Sequence, residues 1–238
     1  MMELMRVIYG PAEGDHVIAT LRNQENPLRE ESYRLKPISM HELGANRVAL
    51  VANGILEENQ NPDRGTPGSM SVYLLNNRDG KWAVERRFEN KASIGSYGQL
   101  GDVAWLELGE GKPGIGIDHS YASEGINVRQ ITLFDLAAPL MNPMSIYMHS
   151  IASDNDKACN AALPQCWNIQ GKWRFERKEK QAYDDLVIDY TGYVETRPDR
   201  APELAPRERS EVKSTVRYTY RRGEYFLVSG ELPSVPGL

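Results

Sequence analysis

The chain has 238 residues, long enough for one all-β domain with a sizeable core, and a single domain over residues 1–238 is expected. With 28 Lys+Arg against 33 Asp+Glu the formal charge is -5, which supplies no electrostatic reason to meet a nucleic-acid backbone or an anionic membrane. No apolar run approaches the roughly 20 residues that cross a bilayer, so no membrane span is expected.

In chain order, the opening residues MMELMRVIYGPAEGDH carry no charged-then-apolar signal, and a mature exported chain with a new initiating Met would look the same. From there the apolar period is two rather than 3.6. Strands are predicted at 16–21, 33–38, 47–52, 71–75, 82–88, 103–108, 115–118, 128–133, 146–151, 173–176, 186–190, 212–220 and 225–229. Turn residues separate them: Arg78-Asp79-Gly80, Gly109-Glu110-Gly111 and Arg221-Arg222-Gly223 each stand between two runs that can pair as a hairpin. Helix is confined to a turn or two at 135–141 and 160–163, limited by Pro139, Pro143 and Pro164. Segments 57–68 and 197–209 are polar, Pro-rich and predicted to be mobile surface loops. The result is an all-β antiparallel meander in which 103–108 and 115–118 are neighbouring central strands.

The two cysteines, Cys159 and Cys166, lie in CNAALPQC, where a short polar loop closes easily around a disulfide and is a poor place to bury free thiols. A bridge is expected, and with it an oxidising compartment, periplasmic or extracellular.

The stretches SVYLLNNRDGKWAVERRF (71–88) and LGDVAWLELGEGKPGIGI (100–117) together resemble one unit of the FG-GAP or VCBS-type repeat of extracellular β-propellers, over roughly residues 47–135. A fainter echo follows in AYDDLVIDYTG (182–192) and VRYTYRRGEYFLVSG (216–230). The resemblance implies blade-like four-stranded sheets in a degenerate or incomplete propeller. It also implies a calcium loop, but if Gly111-Lys112-Pro113 marks the motif, its ligand positions hold Leu106, Leu108, Glu110 and Gly114. Only Glu110 brings a side-chain oxygen, so neither calcium nor another cofactor is expected.

Residue types that could carry chemistry are scattered. His16, His41, His119 and His149 show no metal-ligand spacing. Asp118-His119-Ser120 has the composition of a hydrolase triad, yet consecutive strand residues alternate faces. Asp154, Asn155 and Asp156 could hold a cation weakly or simply solvate a turn; the pairs Glu107/Glu110 and Asp184/Asp185 are expected to be exposed acids. On strand 212–220 and its flanks, Lys213, Thr215, Arg217, Thr219 and Arg221 form a basic stripe, either a face for an acidic partner or a solvated one.

The Gly/Ser/Tyr-rich connections SIGSYGQLG (93–101) and HSYASEG (119–125) offer adaptable backbone and aromatic contacts on a rigid scaffold. Tyr97, His119 and Tyr121 are therefore the predicted partner contacts. Taken whole, the chain is similar to uncharacterised exported proteins and to periplasmic immunity proteins that block type VI secretion effectors. That resemblance implies a non-catalytic inhibitor that occludes a protein partner such as a secreted toxin. The alternative is a hydrolase acting on an envelope polymer or lipid.

Overall fold

A computed structural model describes residues 1–24, 26, 28–144, 149–160, 162–198, 202 and 205–238. Within them one helix and thirteen strands form an all-β fold of two antiparallel sheets, and the chain packs as two compact units. Each predicted strand overlaps one observed strand, although residues 146–148 of the predicted 146–151 lie outside the described residues. The strands group into sheets of five and eight; the four-stranded blades implied by the repeat resemblance are not how they are joined.

The first unit, residues 1–105 and 136–142, is built on a sheet ordered β1 (Val17–Arg22), β2 (Glu30–Glu42), β3 (Arg47–Leu56), β4 (Gly68–Arg78), β5 (Lys81–Ile94). Alternation sends Val17, Ala19 and Leu21, then Leu35, then Val48, Leu50 and Ala52, then Tyr73 and Leu75 into one core. The stretch 71–88 forms the β4–β5 hairpin. Asp79 (φ 52°) and Gly80 (φ 77°) make a two-residue turn with left-handed backbone at both positions, as the twist of paired strands requires. The sheet curls until its first and last strands meet at one end, where Asn90 of β5 donates its side-chain amide to the Arg22 carbonyl of β1 at 2.9 Å.

A helix at the N-terminus, α1 (Met2–Tyr9), was absent from the sequence expectation. Eight residues are too few to hold a helix alone. It forms because Leu4, Met5 and Ile8 share one face and complete the core of the curled sheet. Gly10 ends it, and Tyr9 fastens its last turn, donating to Glu89 at 2.5 Å with its hydroxyl 2.6 Å from that of Tyr73. Of the predicted helical turns at 135–141 and 160–163, Asp135 is instead the last residue of a strand and the rest are turns, bends and irregular backbone, with Ala161 outside the described residues.

The second unit, residues 106–135 and 143–238, holds an eight-stranded meander apart from residues 102–105 of its edge strand, which belong to the first unit. In order these are β6 (Asp102–Glu107), β7 (Pro113–Ser123), β8 (Ile126–Asp135), β9 (His149–Asp154), β10 (Gln165–Glu176), β11 (Asp185–Thr196), β12 (Glu208–Arg221) and β13 (Glu224–Ser229). β6 and β7 are neighbours as predicted, but β6 is an edge strand rather than a central one. Ile131, Leu133, Ile151, Trp167, Ile169, Leu186, Ile188 and Val216 form the core. The C-terminal residues return to it: Val235 is buried, and the Ser153 hydroxyl donates to the Pro236 carbonyl at 2.6 Å.

Candidate functional site

In an antiparallel meander the connections alternate between ends. The loops after β1 and β3 and the segment after β5 therefore share one end of the first unit. The segment 95–101 is tightly held there. Asn53, buried in β3, donates to the Gly98 carbonyl at 2.7 Å and accepts from the Leu100 amide at 3.1 Å. The Tyr97 and Gly98 amides donate to the Asp63 and Thr66 carbonyls at 3.0 and 2.8 Å. Asp63 in turn accepts from the Gly65 amide and the Thr66 hydroxyl at 3.0 and 2.8 Å. Of segment 57–68, predicted to be mobile, residues 57–67 are thus a hydrogen-bonded support for their neighbour and Gly68 opens β4.

This clasp holds Tyr97 at φ 53°, a left-handed conformation that costs a non-glycine residue roughly 1–2 kcal/mol. The ring does not repay the cost by burial, because Tyr97 is 56 % exposed. A glycine is obligatory nearby: a Cβ on Gly95 would stand 2.0 Å from the Gln99 carbonyl oxygen. The loop after β1 brings Leu28, 96 % exposed, which the sequence reading missed; its only signal is an isolated leucine in the polar run NQENPLREE. That loop is bound to β5 through Gln24, which donates to the Lys91 carbonyl at 3.1 Å and accepts from the Ser93 hydroxyl at 3.0 Å. Between the β2 start and the β3 end lies a groove of about 490 Å³ whose walls include Glu30, Glu31, Glu57 and Glu58. Arg29 pairs with Glu31 at 3.1 Å and the Ser32 hydroxyl donates to Glu57 at 2.5 Å.

His119 and Tyr121 belong to the second unit, and the stretch 119–123 that was expected to be a loop is the end of β7. Tyr121 is 42 % exposed. His119 is only 5 % exposed, with Nε2 3.2 Å from the Thr132 hydroxyl, so it serves packing and does not present a contact surface. Burial lowers its pKa, partly offset by neighbouring Asp118.

The other sequence candidates resolve into structural roles. Asp118 accepts two bonds from Arg129 at 2.7 and 2.5 Å, pointing away from the His119 face, so Asp118, His119 and Ser120 do not converge. Asp154 accepts from Asn127 at 2.9 Å, Asp156 accepts from Asn168 at 2.6 Å, and buried Asn155 is bonded to Gln165 and Trp167. Among the described residues no cluster of three His, Cys, Asp or Glu could hold a metal ion. Glu110 pairs with Arg177. Asp185 is a correction: expected to be exposed, it is 2 % exposed and accepts from Thr219 at 2.8 Å and Arg217 at 3.2 Å. The basic stripe on β12 is engaged at its middle, since Arg217 also reaches Glu176 and Thr215 donates to Asp189 at 2.7 Å.

Cys159 and Cys166 are joined in a disulfide, as predicted. Among the described residues no helix is long and apolar enough to cross a membrane. No family model, curated protein or solved structure matches the chain.

Proposed function

We propose that the protein is a non-catalytic binding protein of the bacterial envelope, an inhibitor or immunity protein that occludes a protein partner such as a secreted toxin. The observation that carries this reading is Tyr97. It is an exposed aromatic held in a costly backbone conformation by a clasp of hydrogen bonds from Asn53 and segment 57–67. Strain maintained on a surface residue implies use of its fixed position, and aromatic anchors on preorganised loops are where interface energy concentrates. Leu28 extends the same end of the unit, and Tyr121 supplies a separate contact on the second unit. The disulfide supports a periplasmic or secreted location, where such a bridge persists.

The test is a photo-crosslinking residue at position 97 in cells of the source bacterium, followed by binding measurements with the captured protein. The expected result is one specific partner whose affinity falls at least tenfold on Tyr97→Ala with the fold unchanged. Absence of a partner, or hydrolysis of esters, glycans or peptides that is lost on replacing one nucleophilic or acidic residue, would overturn the reading.

A further inference from the structure

At the opposite end of the first unit, where the β2–β3 and β4–β5 turns meet the start of α1, lies a hollow of about 470 Å³. We infer that it is a small-molecule site for an organic cation with a flat apolar body, an aromatic amine being the simplest member of the class. This site is separate from the Tyr97 end and does not depend on the function proposed for it.

The inference starts from what lines the hollow. Leu4 and Val48, both 5 % exposed, belong to the core and form an apolar floor. The half-buried Trp82 indole and the Met40 side chain, 43 % exposed, form the walls. Unbranched Met adapts its shape to a ligand, and a Trp face attracts a cation more strongly than any other side-chain ring. The volume falls within the range of about 300–1,000 Å³ that drug-sized ligands occupy.

Charge then selects the ligand. Glu3 and Glu42 stand at the rim, and neither takes part in an ion pair among the described residues. The one lining side chain with a positive charge, Arg47, is neutralised by a two-pronged pair with Glu85 at 2.9 and 3.0 Å. The Met1 α-ammonium also lines the hollow, so it presents an apolar floor and an aromatic wall under a rim whose two carboxylates outnumber one ammonium. An ammonium group in the hollow is attracted by the rim carboxylates and by the indole, while its apolar body meets the floor of Leu4 and Val48. A carboxylate of the same shape would meet repulsion at both glutamates and would lose the attraction of the ring.

Three probes of like size decide the matter: phenethylamine, protonated at neutral pH, 2-phenylethanol and 3-phenylpropanoate. Each is titrated into the full chain while the Trp82 indole N–H is followed by NMR, assigned from the spectrum of Trp82→Phe, with the Met40 methyl as a second reporter should that variant not fold. The amine is expected to shift both signals saturably, to bind less tightly as salt is raised, and to lose affinity about three- to tenfold in the Glu3→Gln/Glu42→Gln double variant. The propanoate is expected to leave both signals unmoved. The inference is overturned if the amine moves neither signal, if alcohol or propanoate binds as well as the amine, or if the double variant binds the amine unchanged.

Discussion

The two units build their cores from the same alternation of apolar residues, but they place buried polar groups differently. The first closes its curled sheet with amides and hydroxyls: Ser69 donates to Asn90 at 2.7 Å, and the Asn90 amide donates to Ser71 at 3.0 Å and its side chain to Arg22. None of these groups changes charge with pH. The second unit buries two imidazoles, His119 and His149, each with one ring nitrogen that has no hydrogen-bond partner among the described residues. It also buries the carboxylate of Asp185 and contains the disulfide. His149 lies edge-on to Tyr218 and Tyr225, with ring centroids 4.6 and 6.1 Å away, and burial pushes its pKa down to about 4. One unit is therefore indifferent to mild acid and reductant at its closure, while the other is sensitive to both.

The largest effect that tests this contrast is removal of Asp185. Asp185→Ala leaves Arg217 and Thr219 without their buried acceptor and is expected to cost about 3–5 kcal/mol, read from urea unfolding. Hydrogen exchange should place the loss in the second unit. Equal loosening of the first unit would erase the distinction.

Acid is expected to act next in size. His149 titrates near 4 in the folded chain against an ordinary 6.5, so between these values the unfolded chain binds the additional proton. Stability contributed by this site is intact above pH 6.5, falls by about 3 kcal/mol as pH drops to 4, and levels off below. His119 adds in the same direction. Replacing His149 by Phe should flatten the dependence of the urea midpoint over this window; an unchanged slope would show that other groups govern acid lability.

Reducing the Cys159–Cys166 bridge is expected to cost about 2 kcal/mol, the chain-entropy value for so short a loop. It should also loosen the attachment of Arg207, which donates to the Cys159 sulfur at 3.8 Å and to the Leu163 carbonyl at 3.0 Å. Faster tryptic cleavage after Arg207 in reductant, with no new cleavage in the first unit, would be the signature.

The smallest effect sharpens the comparison from the other side. Tyr97→Gly removes a side chain from a left-handed position and is expected to stabilise the first unit by about 1 kcal/mol while abolishing partner binding. A thermal melt that falls instead would mean that the Tyr97 ring packs for stability.

Alternation made the strands legible, from the buried and exposed residues that take turns along β1 to the apolar run of β3, because a half-buried sheet needs a period of two whatever it packs against. The Asp79-Gly80 and Arg222-Gly223 turns were legible for an equally local reason, the left-handed backbone at both positions. Of the candidate contacts, the exposed place of Tyr97 was legible because Gly95 and Gly98 announce a tight loop around it. His119 was not, because neighbouring Asp118 and Ser120 look polar while alternation turns the histidine inward beside Thr132. Leu28 was hidden for the opposite reason: a single leucine in a polar loop has no period to mark it.

What the sequence by itself determined was therefore local: the all-β character, the strands and hairpin turns, and the disulfide, whose two cysteines are close along the chain. What only the tertiary structure decided was how the strands divide into sheets of five and eight, that α1 folds, that Asp185 and His149 are buried, and that segment 57–67 clasps Tyr97. Each of these depends on contacts between residues far apart in sequence. Such contacts form only when curled sheets bring strand ends together, and no window of neighbouring residues encodes that geometry.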